Sequence, residues 1–205
     1  MPGKNIIKEY AADHYYHIYS RGVNKQPVFL DHEDYEVFLG LLKRYLGHEK
    51  PTDTSRHAYP NYSDEITLLA YCLMKNHIHL LVYQKLELGM PKLMRSVMTS
   101  YSMYFNKRYK RVGPVFQSRY RASMIEHDGY LEHISRYIHL NPKEWKSYEY
   151  SSLPYYLGTR STSWVTPQKI MELFNNEPRS YLRFMNDYQA HKQMLDEIKW
   201  ELAGR

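Results

Sequence analysis

The stretch ITLLAYCLMKNHIHLLVYQ, from Ile66 to Gln84, decides the fold. It contains two apolar runs, Ile66–Met74 and His77–Gln84. The polar pair Lys75-Asn76 separates them and has the length of a hairpin turn. The stretch therefore predicts two antiparallel strands joined by a tight turn.

The pattern on either side of this hairpin supplies one further strand and helix before it, and a helix, a strand and a helix after it. Aromatic, turn and capping signals place these five elements at His14–Ser20 (strand), after the cap Asp31 (helix), from Pro91 (helix), at Val115–Glu126 (strand) and between Asp128 and Pro142 (helix). The order β-α-β-β-α-β-α predicts an α+β fold. Its first six elements form a ferredoxin-like split βαβ antiparallel sheet with two helices over one face. The other face is left for a ligand or for the third helix.

The strand and helix signals become weaker after Trp145. This change divides the chain into two predicted parts. Residues 1–146 form the domain with the sheet, and residues 147–205 form a C-terminal helical appendage. Within the appendage, Pro167–Phe174 and the stretch from Pro178 to about Ala203 are expected to be helical.

Composition excludes several classes of protein. The 205 residues contain a single cysteine, Cys72, so an intramolecular disulfide and a cysteine-based zinc site are both excluded. The segment Met1–Tyr16 lacks the apolar core of a signal peptide. The longest apolar run is far shorter than the roughly 20 residues that span a bilayer. We therefore expect a soluble cytoplasmic protein with no membrane partner.

The chain has a net positive charge, and this charge is concentrated in one segment. The chain has 28 Lys and Arg against 22 Asp and Glu, a net charge of +6, and it has 22 tyrosines but only 6 phenylalanines. Eight cations and no acid lie between residues 92 and 121, which favours a phosphate-binding track over a solvated helix face. Rings that are interleaved with these cations are expected to stack on bases of a single strand; they are Tyr101, Tyr104, Tyr109, Phe116 and Tyr120.

Two histidines on the second hairpin strand form a candidate metal half-site. Side chains alternate along a strand, so His77 and His79 share the face opposite Ile78, Leu80 and Val82. Two imidazoles held side by side suit a divalent cation. The alternative is a pair of exposed strand histidines with no ligand.

The third helix offers two more functional groups on one face. Tyr137 and Asn141 are four residues apart and therefore neighbours on the helix surface. An amide oxygen is a reasonable ligand for Mg²⁺ or Mn²⁺, and a phenol one turn away could reach a phosphate. Alternatively, Tyr137 extends the stripe of Tyr130 and Ile134 and only packs.

Two ordered motifs resemble a known family. Tyr71-Cys-Leu-Met-Lys-Asn-His-Ile-His-Leu-Leu-Val82 resembles the His-hydrophobic-His signature of the HUH-type single-tyrosine transposases, the insertion-sequence-200-like group. Arg136-Tyr-Ile-His-Leu-Asn-Pro142 resembles the helix that carries their nucleophilic tyrosine. Further stretches resemble the REP-associated tyrosine transposase branch: Tyr16–Gly22 with Asn24, Phe29–Tyr35, Tyr104–Arg108, Gly113–Arg121 and Tyr150–Gly158.

The resemblance implies metal-dependent cleavage and rejoining of single-stranded hairpin DNA through a 5′-phosphotyrosine intermediate. It implies Tyr137 as the nucleophile, and His77, His79 and Asn141 as ligands of Mg²⁺ or Mn²⁺. The protein would act as a monomer or homodimer. The residues expected to hold the DNA are Arg21, Asn24, Arg95, Lys107, Arg108, Lys110, Arg111, Arg119 and Arg121.

Two other functions remain open from the sequence. A non-cleaving or domesticated protein could bind hairpin DNA or RNA, although such a protein has no need for His77, His79 and Tyr137 together. A metal-dependent hydrolase that uses water would need a further carboxylate, for which Glu126 and Glu132 are the candidates.

Overall fold

A computed structural model describes residues 10–48, 58–125 and 130–187. Glu126, the predicted cap Asp128 and the end of the stretch from Pro178 to Ala203 lie outside the described residues. The elements are β1 (His14–Arg21), α1 (His32–Leu46), β2 (Ile66–Met74), β3 (His77–Gln84), α2 (Gly89–Arg108), β4 (Arg121–Ile125), α3 (Leu131–His139), α4 (Leu153–Tyr156), α5 (Gln168–Met171) and α6 (Pro178–Asn186).

The four strands form one antiparallel sheet in the order β2-β3-β1-β4. This is the order of the ferredoxin-like split βαβ fold, so the predicted fold class is confirmed. The predicted bounds of β2 and β3 are also confirmed. The hairpin register pairs Met74 with His77, which places the two histidines at the start of a central strand.

The two faces of the sheet carry separate hydrophobic layers. On one face, α1 and α2 pack on the alternate residues Ile78, Leu80 and Val82 of β3, as the alternation predicts. On the other face, α3 and the helices that follow it pack on Leu69, Cys72 and Leu81, among others. The third helix therefore occupies the face that the sequence left open.

Residues 147–187 pack directly on the sheet. The backbone of residues 150–152 pairs with the outer edge of β2: Leu73 N–H donates to Tyr150 O at 2.9 Å, and Ser152 N–H donates to Tyr71 O at 3.0 Å. This pairing covers the edge of β2, whose unpaired amides and carbonyls would otherwise be exposed. The division of the chain after residue 146 stays a prediction.

Two predicted element bounds differ from the structure. The strand predicted from Val115 begins only at Arg121, because the consecutive residues Val115 and Phe116 are both buried and break the alternation of a strand. The predicted first helical residue, Pro91, is the third residue of α2, which starts at Gly89. Proline fits there because the first four amides of a helix have no partner within it.

Three of the five interleaved rings of the basic segment, Tyr101, Phe116 and Tyr120, are buried and not available for stacking, and Tyr104 and Tyr109 are half-buried. Tyr101 and Phe105 are fully buried between α2 and the sheet, and Phe116 and Tyr120 are nearly so. The hydroxyls of Tyr104 and Tyr109 both donate to the Asp34 carboxylate, at 3.0 and 2.9 Å. These rings pack in the core because a tyrosine can bury its ring when its hydroxyl finds an acceptor.

Asp34 joins the two helices of the first layer. Its side chain is fully buried, and it accepts from Leu30 N–H at 2.7 Å and from the Arg108 guanidinium at 2.8 Å, in addition to the two tyrosines. Arg108 also pairs with Asp31 and Glu33. Its charge is therefore neutralised by carboxylates within the fold, which argues against the predicted DNA contact at Arg108.

Asp34→Ala is expected to lower the free energy of unfolding by about 3 kcal/mol, because it removes the acceptor of the Tyr104 and Tyr109 hydroxyls and of the Leu30 N–H, and one of the three carboxylates that pair with Arg108. Urea denaturation measures this change. Glu36→Ala, an exposed position on the same helix, is the control and should change stability by less than about 0.5 kcal/mol. Equal losses in the two variants would contradict the central role of Asp34.

Within the described residues, no helix is both long enough and apolar enough to cross a membrane.

Candidate active site

The functional side chains meet where β1 ends and β3 begins. The antiparallel register pairs Tyr19 with His79 and Arg21 with His77. The Tyr19 ring contacts both histidines, with ring centroids 5.6 Å from His77 and 5.0 Å from His79. The strand pair thus presents a cluster of rings on the face that α3 covers.

Tyr137 reaches this cluster from α3. The apolar residues Leu131, Ile134 and Ile138 hold the helix on the sheet, and this packing turns half-buried Tyr137 toward the histidines. Its ring lies edge-on to His79, with centroids 5.4 Å apart. The structure therefore brings the tyrosine and the histidine pair together from elements about 60 residues apart in sequence.

Asn141 lies just beyond the last turn of α3 and faces His77. Its Nδ2 donates to the carbonyl of Tyr137 at 3.1 Å, which fixes the orientation of the amide. Its Oδ1 is consequently directed at His77 Nε2, 3.5 Å away. One residue thus caps α3 and presents an oxygen to the histidine pair.

The turn before β3 sets the protonation of His77. His77 Nδ1 lies 2.7 Å from Asn76 Oδ1, and Asn76 Nδ2 donates to Lys25 O at 3.1 Å. Because the Asn76 oxygen can only accept, His77 Nδ1 carries the proton and Nε2 carries the lone pair. Burial lowers the pKa of His77, and the positive charge of Arg21 adds to this effect, whereas the Asn141 side chain opposes it.

His79 has a supporting histidine of its own. His79 Nδ1 lies 2.9 Å from His17 Nε2, and both side chains are 2% exposed. Burial lowers the pKa of His17 to about 3 and holds that of His79 well below its ordinary value. Both rings are therefore neutral at pH 7. A proton on His79 Nδ1 that is donated to His17 leaves His79 Nε2 as a lone-pair donor.

The donor set fits a hard divalent cation. With the proton of His77 on Nδ1, the Nε2 atom of His77 and the Oδ1 atom of Asn141 both present lone pairs to the same place, 3.5 Å apart. A cation is the group that satisfies two such acceptors. Among the described residues, no three His, Cys, Asp or Glu side chains are grouped to hold a metal. The Asn141 amide oxygen is the further donor atom that lies beside the histidine pair.

Three arginines line the same cleft, which has a volume of about 400 Å³. Arg21 comes from β1, Arg121 is the first residue of β4, and Arg119 lies in the segment directly before β4. Gln117 Oε1 accepts from Arg21 Nε and Nη2 at 3.4 and 3.3 Å, so it holds this guanidinium at the rim. A cleft with neutral histidines at its base and arginines at its rim suits a phosphodiester.

The remaining predicted DNA contacts lie outside this cleft on exposed surface. Asn24 lies in the turn after β1 with a left-handed backbone (φ 51°). The others lie along α2 and in the turn that follows it; they are Arg95, Lys107, Lys110 and Arg111. Lys92, by contrast, is paired with Glu65 at 2.8 Å.

Sequence reasoning missed His17, Tyr19 and Gln117. The signal for the first two was present, because His17, Tyr19 and Arg21 alternate along β1 and so share one face. Since β1 and β3 are neighbours in a ferredoxin-like sheet, that face had to be the one that carries His77 and His79. Gln117 gave no such signal, since it lies in an irregular segment.

The fold of this chain is similar to that of one solved transposase structure. A solved structure described as a REP-associated tyrosine transposase bound to a REP hairpin has the same fold, with a TM-score of 0.57 and 13% sequence identity. The likeness covers 80% of this chain and 92% of that chain.

The family model described as "Transposase IS200 like" matches residues 57–141, which include both histidines, Tyr137 and Asn141. The resemblance inferred from the two motifs is thereby confirmed, and it supports a transposase function. A comparison with curated proteins gives no significant match.

Proposed function

We propose that this protein cleaves and rejoins single-stranded hairpin DNA through a covalent 5′-phosphotyrosine intermediate on Tyr137. One observation carries the proposal: Tyr137 and the two neutral histidines line one cleft with three arginines, and the Asn141 oxygen lies 3.5 Å from His77. The hairpin in the REP-associated neighbour supports the choice of DNA as the partner. A divalent cation, Mg²⁺ or Mn²⁺, bound by His77, His79 and Asn141 would supply charge neutralisation at the scissile phosphate.

The reaction exchanges one phosphodiester for another. The Tyr137 phenol oxygen attacks phosphorus and the bond from phosphorus to the 3′ oxygen breaks, which leaves a phosphotyrosine on the 5′ side and a free 3′-OH. The energy of the bond is kept, so a 3′-OH can attack the phosphotyrosine and rejoin the strands. Arg21, Arg119 and Arg121 would bind the non-bridging oxygens and orient the phosphate for this attack.

The phenol proton leaves during the attack. Burial raises the pKa of Tyr137, and the Asn141 side chain only partly offsets this effect. Tyr137 is therefore protonated at neutral pH, so proton loss from the phenol accompanies bond formation, and the departing 3′ oxygen takes up a proton. His139 is not the acceptor, since its ring is buried on the far side of α3 with both nitrogens hydrogen-bonded.

The polarity of the covalent product tests the proposal. Hairpin DNA with a single-stranded flank is incubated with the protein and Mn²⁺ and then run on a denaturing gel. A label at the 3′ end should move with the protein, whereas a label at the 5′ end should appear in a shorter free strand that a polymerase can extend. A hairpin-binding protein that does not cleave would instead retain both labels in intact DNA, and this result would favour the second candidate function.

The arginine rim predicts a specific salt dependence. The double variant Arg119→Ala/Arg121→Ala should bind hairpin DNA more weakly, and its slope of log affinity against log salt should be flatter by about 1.4, since each phosphate contact to a single strand contributes about 0.7. Filter binding between low and physiological salt measures both quantities. Lys43→Ala, an exposed lysine on α1 across the sheet, is the control and should leave the slope unchanged.

A further inference from the structure

Three polar side chains of α3 are completely buried, Ser135, Arg136 and His139, and Arg136 Nη1 donates to Phe184 O of α6 at 3.1 Å. Ser135 and His139 lie two residues before and two residues after Tyr137, and both are completely buried. Neither contacts the histidine pair or the arginines, so the chemistry proposed above does not use them. Both are instead hydrogen-bonded to the segment 147–187.

A chain of short hydrogen bonds links α3 to that segment and to the sheet. His139 Nε2 lies 2.7 Å from Ser152 Oγ, and His139 Nδ1 lies 2.8 Å from Tyr181 Oη. Tyr181 Oη lies 3.0 Å from Ser135 Oγ. Ser152 Oγ also accepts from the backbone N–H of Tyr71 on β2 at 2.8 Å. The chain therefore begins on β2, passes through α3 and α6, and returns to α3.

The Ser152 hydroxyl faces two acceptors, His139 Nε2 at 2.7 Å and Tyr71 O at 3.2 Å, and the shorter contact favours one direction along this chain. Ser135 Oγ donates to Glu132 O at 2.7 Å, so it accepts from the Tyr181 hydroxyl. Tyr181 then accepts from His139 Nδ1–H, and His139 Nε2 accepts from the Ser152 hydroxyl. In this direction the His139 ring donates through Nδ1 and accepts through Nε2. A buried network with all its members satisfied holds its parts in one geometry.

The helix that carries Tyr137 depends on such outside contacts. α3 has nine residues, and its N-cap, Tyr130, gives no side-chain hydrogen bond. A helix of this length is marginal by itself, so tertiary contacts decide where it lies. The Tyr181 hydroxyl of α6 bonds to both Ser135 and His139, so it holds α3 at the residues two positions before and two positions after Tyr137.

We propose that Tyr181, together with His139 and Ser152, is a positioning residue that holds α3 so that Tyr137 faces the scissile phosphate. This inference rests on the function proposed above and deepens it, because it gives the segment 147–187 a part in catalysis. The segment does not contact the phosphate in this arrangement; it acts through α3. Displacing a nucleophile by about 1 Å can cost about 100-fold in rate.

A matched pair of tyrosine variants tests the inference. Tyr181→Phe removes the bridging hydroxyl and keeps the ring, which packs on Phe174 and Tyr156. Tyr156→Phe is the control: its ring lies against His139 and Tyr181 in the same layer, but its hydroxyl donates to Leu69 O on β2, not to α3. The measurements are the single-turnover rate of adduct formation at saturating hairpin DNA and the dissociation constant of the hairpin.

We expect Tyr181→Phe to lower the single-turnover rate by roughly 10- to 100-fold with the dissociation constant changed by less than about twofold. Tyr156→Phe should stay within about threefold of wild type in both. Ser135→Ala removes the far partner of Tyr181 and should also slow the reaction. Combining it with Tyr181→Phe should add little, because both changes break the same bond. Ser135→Ala carries the test by itself if Tyr181→Phe does not fold.

Equal effects of Tyr181→Phe and Tyr156→Phe would overturn the inference, because they would show a general loss of packing. A Tyr181→Phe rate equal to wild type would overturn it as well. Both results leave the proposed function standing, since wild type still forms the adduct. A wild-type protein that binds the hairpin but forms no adduct overturns the proposed function itself, and the positioning role with it.

Discussion

Tyr137→Phe is expected to abolish the covalent protein–DNA adduct, with a loss of about 10⁴-fold or more in the rate of strand cleavage. The substitution removes only the oxygen that attacks phosphorus. The ring remains, so its edge contacts with His79 and His17 and the packing of α3 should be kept. A denaturing gel with 3′-labelled hairpin DNA measures the loss directly.

Tyr19→Phe is the matched control for this prediction. Tyr19 also lines the cleft and contacts both His77 and His79, so it is the other phenol placed to reach a bound phosphate among the residues that line the cleft. Tyr19→Phe should keep the adduct. If Tyr19→Phe removes the adduct and Tyr137→Phe does not, the nucleophile is Tyr19 on β1 and not Tyr137 on α3.

Binding should separate from chemistry in the Tyr137→Phe variant. The phenol is not among the proposed metal donors or the phosphate-binding arginines, so the affinities for hairpin DNA and for Mn²⁺ should both stay within about twofold of wild type. A parallel loss of binding and cleavage would indicate that the substitution displaces α3, and it would not identify a nucleophile.

Local sequence patterns predicted the fold well because the alternation of side chains along a strand and the capping of a helix depend on neighbouring residues. β2 and β3 have the predicted bounds, and Asp31 caps α1 by accepting from Asp34 N–H. The face of each histidine follows from its position in β3. Each of these features depends on residues within a few positions of one another, which is the range over which a sequence pattern is informative.

The partners and the burial of individual polar side chains depend on residues that are far apart in sequence. Arg108 belongs to the basic segment, yet carboxylates about 75 residues earlier neutralise it. The rings of Tyr104 and Tyr109 interleave with cations in sequence, but the buried Asp34 draws their hydroxyls inward. A high tyrosine content indicated a surface for nucleic acid, whereas many tyrosines are core residues with hydrogen-bonded hydroxyls.

The sequence motifs identified the candidate site residues themselves but not the residues that hydrogen-bond behind them. His77, His79, Tyr137 and Asn141 are motif residues, and the structure brings them together. His17 of β1 is hydrogen-bonded to His79, and Tyr181 of α6 is hydrogen-bonded to His139 on the helix that carries Tyr137. No spacing rule connects such partners, because the tertiary fold decides which side chain lies behind another.

The largest expected effect on metal binding comes from the histidine pair. His79→Ala should weaken Mn²⁺ binding by at least about 100-fold and abolish adduct formation, because it removes a donor and leaves two. Isothermal titration of the protein with Mn²⁺ in the absence of DNA measures the affinity apart from cleavage. His32→Ala, an exposed histidine on α1, should bind Mn²⁺ as wild type does.

A second variant, His17→Phe, sharpens this prediction, because it separates the proposed metal ligand His79 from the residue that orients it. His17→Phe keeps a ring stacked on His79, whose centroid lies 5.1 Å away, and removes only the nitrogen that orients it. Supporting residues of this kind typically contribute about 10- to 100-fold to metal affinity. We therefore expect His17→Phe to fall between wild type and His79→Ala. Mn²⁺ affinity that survives His79→Ala but is lost in His17→Phe would make His17 the ligand, and the site would then lie deeper beneath α3 than the facing lone pairs of His77 and Asn141 indicate.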